Sequence, residues 1–219
     1  MARLQIAVDL LAGKQALLLA DEIHDVIDIF EVGTPMIIRD GLHPVRRIKE
    51  KHPGLTVLAD TKIVDGGSLE CEDACKAGAD IITVLAMADN ATIQDVVDSA
   101  HRYGRKAMAD LIQAPDIAKR AKELVGMGVD YVCVHTGVDV QRLGRTPLEE
   151  LEVLVSSISC EKAAVAGGIN SGTLESYLAR KPGIVIMGGA LCCAPDIRAA
   201  VVETQRRIRR LEGKRSEKE

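Results

Sequence analysis

The stretch Val57-Leu-Ala-Asp-Thr-Lys-Ile-Val-Asp-Gly-Gly67 decides how the rest of the chain is read. An apolar run, Val57 to Ala59, passes directly into Asp60, Lys62 and Asp65, and then opens on two glycines. Alternation along a strand puts Asp60 and Lys62 on one face and Thr61 on the other. Asp65 falls past the strand end, where the chain must turn. Charges crowded at the end of a buried strand destabilise a fold unless they are paired or hold a ligand. The stretch therefore marks a functional site.

The same pattern of apolar run and polar end repeats along the chain. Strands are predicted over Gln5–Asp9, Val26–Val32, Leu55–Asp60, Gly78–Leu85, Lys106–Leu111, Gly128–His135, Lys162–Ala166 and Gly183–Met187. Helix patterns follow them, over about 14–22, 42–51, 68–77, 90–103, from Pro115, 146–157, 171–180 and 195–211. Asn90 and Ser171 are placed as N-caps, and Pro115 at a first helical position. The phrases Ala77-Gly-Ala-Asp80 and Met127-Gly-Val-Asp130 repeat one helix-to-strand turn, with glycine at the helix C′ position. Eight β–α units imply an α/β fold of parallel strands covered by helices, a (β/α)8 TIM barrel in a single domain over 1–211. An open doubly wound sheet is the alternative. Residues 212–219 read as a charged, disordered tail.

Composition narrows the partners. Of 219 residues 47% are hydrophobic and 27% charged, enough for a substantial core. A formal net charge of −4, with no Trp, gives neither attraction nor stacking platform for nucleic acid. The N-terminal run reaches Asp9 too early for a secretory segment, and no apolar run is long enough to span a membrane, so a cytoplasmic location is expected. The six cysteines show no zinc-ligand spacing. Free thiols fit a reducing compartment.

In barrels of this kind active sites lie at the C-terminal strand ends. Those ends read Asp9, Glu31, Asp60 with Lys62, Thr83, Asp110, His135, Gly167-Gly168 and Gly188-Gly189. The strand beginnings, including Gln5, Asp28, Asp80 and Asp130, read as ordinary solvated residues. Acids gathered at one mouth repel unless a cation sits among them, and carboxylates without His or Cys companions suit Mg²⁺ or Mn²⁺. His135 is a candidate acid–base group. The two glycine pairs, after strands seven and eight, match a recurring phosphate site, with Asn170 and Ser171 as further donors. The ligand implied is a small phosphorylated molecule.

Asp60-x-Lys62-x-x-Asp65 resembles the Asp-x-Lys-x-x-Asp signature of the orotidine 5′-monophosphate decarboxylase suprafamily. Within it, Phe30-Glu-Val-Gly-Thr-Pro35, Leu58 to Gly67, Val134-His-Thr-Gly-Val-Asp139 and Ala164-Val-Ala-Gly-Gly-Ile169 look like the 3-hexulose-6-phosphate synthase family, from Leu4 to about Arg207. The resemblance implies a (β/α)8 homodimer with active sites shared across its interface. It also implies a Mg²⁺-dependent aldol reaction of D-ribulose 5-phosphate with formaldehyde, through a 1,2-enediolate. By position, Glu31 and Asp60 would hold the metal and Lys62 would hydrogen-bond the enediolate. Asp9 would fix Lys62 or sugar hydroxyls, and His135 would move the proton at C1. Asp65 would reach the neighbouring subunit's site, and Gly167, Gly168, Gly188 and Gly189 would hold phosphate. The alternative within the group is 3-keto-L-gulonate-6-phosphate decarboxylase. Its usual pattern has Arg where Val138 stands, Glu where Asp110 stands and Gly-Arg where Gly188-Gly189 stands, so the resemblance favours the synthase. Its phosphate would rest largely on backbone N–H groups. A phosphosugar-binding barrel without activity and a sugar-phosphate isomerase are readings from other classes.

Overall fold

The apolar runs form β1 (Arg3–Val8), β2 (Ile29–Val32), β3 (Thr56–Ile63), β4 (Ile81–Leu85), β5 (Lys106–Asp110), β6 (Tyr131–His135), β7 (Ala163–Ala166) and β8 (Ile184–Met187). In a computed structural model, which describes residues 1–216, they close into a parallel barrel in sequence order, with β8 paired back to β1. The (β/α)8 reading holds and the open sheet does not. The helices are α1 (Gly13–Ile23), α2 (Thr34–Asp40), α3 (His43–Lys51), α4 (Gly67–Lys76), α5 (Asn90–Arg102), α6 (Ile117–Gly126), α7 (Val138–Gln141), α8 (Leu148–Ser157), α9 (Leu174–Leu178), α10 (Gly189–Cys192) and α11 (Ile197–Ser216). No described helix is long and apolar enough to cross a membrane.

Two apolar layers follow from strand alternation. Outward residues such as Leu4, Ile6, Phe30, Val57 and Val132 pack under the helices. Inward residues Ile29, Leu58, Ile81, Met108, Tyr131, Ile184 and Ile186 fill the barrel. At its N-terminal end Tyr131 carries the Arg3 guanidinium 4.9 Å from its ring centroid and accepts a 2.9 Å hydrogen bond from Lys106 Nζ.

The strand beginnings are not solvated filler. Asp28 Oδ2 accepts from Leu4 N at 2.8 Å, Asp80 Oδ2 from Val57 N at 2.9 Å, and Asp130 Oδ2 from Ala107 N at 2.9 Å. Each carboxylate latches the start of its strand to the strand before it. A second donor completes each latch: Gln205 Nε2 on Asp28, Lys49 Nζ on Asp80 and His101 Nε2 on Asp130. The repeated Gly-x-Asp phrases deliver two of these aspartates. Gly78 and Gly128, at φ +100° and +93°, end α4 and α6 with the paired bonds Gly78 N to Cys75 O, Ala79 N to Ala74 O, Gly128 N to Val125 O and Val129 N to Leu124 O. That is the predicted C′ glycine, in a Schellman turn.

Helix starts depart from expectation for one reason, the reach of a better acceptor. Asp89, not Asn90, caps α5 through Ala91 N, and Asp116 caps α6 through Lys119 N, leaving Pro115 outside the helix. Ser171 caps nothing; Asn170 Oδ1 takes Gly172 N and Thr173 N, and α9 begins only at Leu174. The single helix expected over 42–51 is preceded by α2, which Gly41 ends at φ +61°. At the C-terminus α11 runs to Ser216. It covers the first part of the expected tail, and residues 217–219 lie outside the described residues.

Replacing Asp80 by Ala leaves Val57 N without its acceptor and removes the carboxylate that pairs with both Lys49 and Arg105. Thermal denaturation should show a loss of about 2–3 kcal/mol, or roughly 4–12 °C, with turnover below the melting range unchanged. An unaltered midpoint would rule out the latch.

Candidate active site

At the C-terminal ends of the strands lies a cavity of about 770 Å³. Asp9, Glu31, Asp60, Lys62, Asp110, His135, Gly167, Gly168, Gly188 and Gly189 all line it. Asp65 does not: it is exposed, and its Oδ1 accepts from Gly66 N at 2.8 Å. Asn170 lines the cavity, but its carboxamide oxygen is occupied in its own turn, and Ser171 is exposed outside.

Asp60 is the buried centre of the site. Its Oδ1 accepts from Thr83 Oγ1 at 2.8 Å. Its Oδ2 meets Thr34 Oγ1 at 2.8 Å and is in contact with Lys62 Nζ. Lys62 does not reach it from a regular strand. Pairing of β3 with β4 shifts between Ala59 and Ile63, and Lys62 sits at φ +49°, its N–H donating to Thr83 Oγ1 at 2.9 Å. Thr61 faces the other way, its hydroxyl donating to Thr83 O. A left-handed lysine is backbone strain that persists only where surrounding contacts impose it.

From Lys62 the network continues. Lys62 Nζ is 3.7 Å from Asp110 Oδ2, which lies 2.8 Å from His135 Nδ1, and Asp110 Oδ1 accepts from Ile112 N. Across the barrel, Gln5 Nε2 donates to Glu31 Oε2 at 2.6 Å. Asp9 lies over Gly33: a Cβ built there would fall 2.0 Å from Asp9 Oδ1, so only glycine lets this carboxylate approach. In the glycine loops, Gly167 and Gly168 have φ of +118° and +68°, and a Cβ at Gly167 would fall 2.5 Å from Thr136 O.

The electrostatics separate these groups. Burial, then repulsion from Asp60 and Asp9, pushes the Glu31 carboxyl well above the usual range despite the bond from Gln5. Burial and Asp60 also raise Asp9, although Lys62 and His135 pull it down. For Asp60, burial is outweighed by Lys62, Thr34 and Thr83, and its carboxyl is held low. Lys62 is raised, since Asp60 and Asp110 overcome its own desolvation; the ammonium form is favoured. His135 is raised because its bond to Asp110 outweighs burial. Two thiols border the same cavity. Cys133 is pushed well up by burial and then Asp110, and Cys192 to about 12 by burial and then Asp9.

Sequence reasoning missed Gln5, which was placed among solvated strand beginnings but is 1% exposed. The signal was present: Gln5, Ala7 and Asp9 share a parity, so an inward Asp9 implies an inward Gln5. It also missed Thr34 as a ligand of Asp60, because the short α2 that carries it has too few residues to show a period.

Two carboxylates, Glu31 and Asp60, line the cavity and would be the donor set for a cation. No described group of three or more His, Cys, Asp or Glu could cage a metal. The set fits Mg²⁺, which takes one or two protein carboxylates and completes its shell with substrate oxygens and water.

Known proteins resemble this chain over most of its length. The model of the orotidine 5′-phosphate decarboxylase / HUMPS family matches residues 2–204. A 3-hexulose-6-phosphate synthase of Bacillus subtilis (strain 168) is 46% identical over 193 residues, 88% of this chain and 92% of its own length. 3-hexulose-6-phosphate synthase 1 of Staphylococcus saprophyticus is 44% identical over the same shares. The crystal structure of 3-hexulose-6-phosphate synthase from Salmonella typhimurium superposes with a TM-score of 0.92 at 38% identity, covering 95% of this chain and 99% of the other.

Of the five histidines, His135 should titrate by NMR with a midpoint above the ordinary 6.5, and Asp110→Asn should bring it down. Because its folded pKa is raised, the stabilisation from this pair is complete below the ordinary imidazole value and is lost as pH rises through the raised one. A His135 midpoint at or below 6.5 in the wild-type protein would contradict the geometry.

Proposed function

Because the chain belongs to the orotidine 5′-phosphate decarboxylase / HUMPS family, we propose that it joins D-ribulose 5-phosphate to formaldehyde, reversibly, giving D-arabino-3-hexulose 6-phosphate. The observation that carries this reading is the continuous run from Asp60 through Lys62 and Asp110 to His135, at one barrel mouth.

With Nδ1 held by Asp110, His135 keeps Nε2 for the substrate. In the neutral form it takes the proton from C1 of the ribulose phosphate, leaving a 1,2-enediolate. Lys62, fixed as an ammonium, donates to the oxygen on which negative charge grows, in a site already organised to receive it. C1 then bonds to the formaldehyde carbon, and the aldehyde oxygen takes up a proton. Asp9, beside Gly33, holds sugar hydroxyls. Glu31 and Asp60 would hold Mg²⁺, which when bound would supply Lewis-acid stabilisation of negative charge on substrate oxygen. The backbone of Gly167, Gly168, Gly188 and Gly189 takes the phosphate.

Val138, apolar and 63% exposed, stands where the related decarboxylases carry an arginine; this supports the aldol reading over loss of CO₂. Asp65 is outside its own cavity, beside Val64 and Leu69, with Met87 in the next strand-end loop; these three apolar side chains are 57%, 70% and 58% exposed. Such a surface suits a homodimer in which Asp65 enters the partner subunit's site.

Incubating the protein with ribulose 5-phosphate, formaldehyde and Mg²⁺ should yield hexulose phosphate, and EDTA should abolish it. No product there, with CO₂ released from 3-keto-L-gulonate 6-phosphate, would reverse the assignment. For the shared site, mixing inactive Asp65→Ala and Lys62→Ala subunits should recover part of the activity, since a heterodimer then contains one intact site. Continued inactivity of verified heterodimers would remove Asp65 from the partner's site.

A further inference from the structure

Below the charged network the cavity floor is apolar, built from Ala7, Leu58, Met108, Cys133 and Ile186, with one polar side chain among them. That side chain is Gln5, whose residue is 1% exposed. Its carboxamide is used on one side only. Nε2 donates to Glu31 Oε2 at 2.6 Å, while Oε1 is the one buried side-chain polar atom among the described residues without a hydrogen-bond partner. A buried, unpaired carbonyl is unfavourable, and such a group calls for an explanation from function or from a ligand. A leucine or methionine would fill the same space in this floor without that cost.

The bond to Glu31 supplies the first half of an explanation. Glu31 has many rotamers, and it is repelled by Asp60 and Asp9 across the mouth. Tying Oε2 to the floor leaves Oε1 of Glu31 free of any side-chain donor among the described residues. The carboxylate is thereby held in one orientation, with one oxygen reserved. The free oxygen of Gln5 supplies the second half. It can accept only from an O–H or N–H donor, and none of the protein's described groups provides one. A water in the shell of a bound cation, or a substrate hydroxyl, has the required proton.

We propose that Gln5 is a positioning residue for cation binding, orienting Glu31 through its N–H₂ group and accepting, through Oε1, a hydrogen bond from the water or hydroxyl that accompanies the cation. The inference rests on the assignment of Glu31 as a cation ligand. Partners of this kind, one step behind a ligand, change metal affinity by about 10- to 100-fold when removed.

Mn²⁺ binding, followed by electron paramagnetic resonance with D-ribulose 5-phosphate present, tests both layers. Gln5→Met, whose fold is checked by circular dichroism, should bind Mn²⁺ at least tenfold more weakly than the wild-type protein. Glu31→Gln should bind more weakly still. If Glu31→Gln loses affinity and folded Gln5→Met stays within twofold of wild type, the role given to Gln5 is wrong and the cation assignment stands. If Glu31→Gln binds like wild type, the cation assignment itself fails, and this inference with it. Should Gln5→Met not fold, the wild-type protein decides: the Gln5 side-chain amide resonances, assigned through bonds, should shift when Mg²⁺ is added, and unshifted resonances overturn the proposal.

Discussion

The ion pair between Asp60 and Lys62 sits at the top of a barrel interior, where each charge offsets the cost of burying the other. Much of the local architecture follows from keeping it. Thr34 and Thr83 also donate their hydroxyls to Asp60, and the β3–β4 ladder breaks register so that Lys62 can turn back. Asp110 lies on the far side of the ammonium and passes the interaction to His135. An ordinary strand with an acid and a lysine two residues apart would project both into the mouth as separate charges. The bulge instead makes them one neutral unit, with a negative site, Glu31 and Asp9, left across from it.

Much of the fold was legible because the barrel is a repeated solution to a simple problem. Buried parallel strands are short apolar runs, and helices over them show a longer period, so eight units could be counted. The acids and glycines at the strand ends could then be assigned to one face without knowing any distance. What escaped has physical reasons. The helices α2, α7 and α10 are too short for periodicity, and cap positions turn on which neighbouring carboxylate reaches an N–H first. The left-handed Lys62 is a tertiary effect, imposed by Thr83 from the next strand. Asp28, Asp80 and Asp130 look like surface charges because nothing local reveals that their acceptors serve the backbone of the preceding strand.

The two ends of the barrel use the same residue type for opposite purposes. At the N-terminal end each latch aspartate is provided with a backbone N–H and a second donor, so its lone pairs are used and the strand start is fixed. At the C-terminal end the donors are shared unevenly: Asp60 takes Thr34, Thr83 and Lys62, while Glu31 has Gln5 alone. Glu31 and Asp9 are left with raised pKa values by burial and by Asp60, a condition that costs stability and is tolerated where a ligand relieves it. The contrast separates scaffold from site without reference to any relative.

The surplus of negative charge at the mouth also acts on groups that take no part in holding a ligand. Cys133 and Cys192 stand in the cavity wall, and their thiols are raised by burial and by the nearby carboxylates. A thiolate is the form that attacks carbonyl carbons and is consumed by oxidants or alkylating reagents. Burial, and after it the nearby carboxylates, favours the thiol form of both, so on the proposed aldol reading an aldehyde crossing this cavity would meet no competing thiolate in its walls. On that reading, the placement of the acids would also protect the protein from its own substrate class.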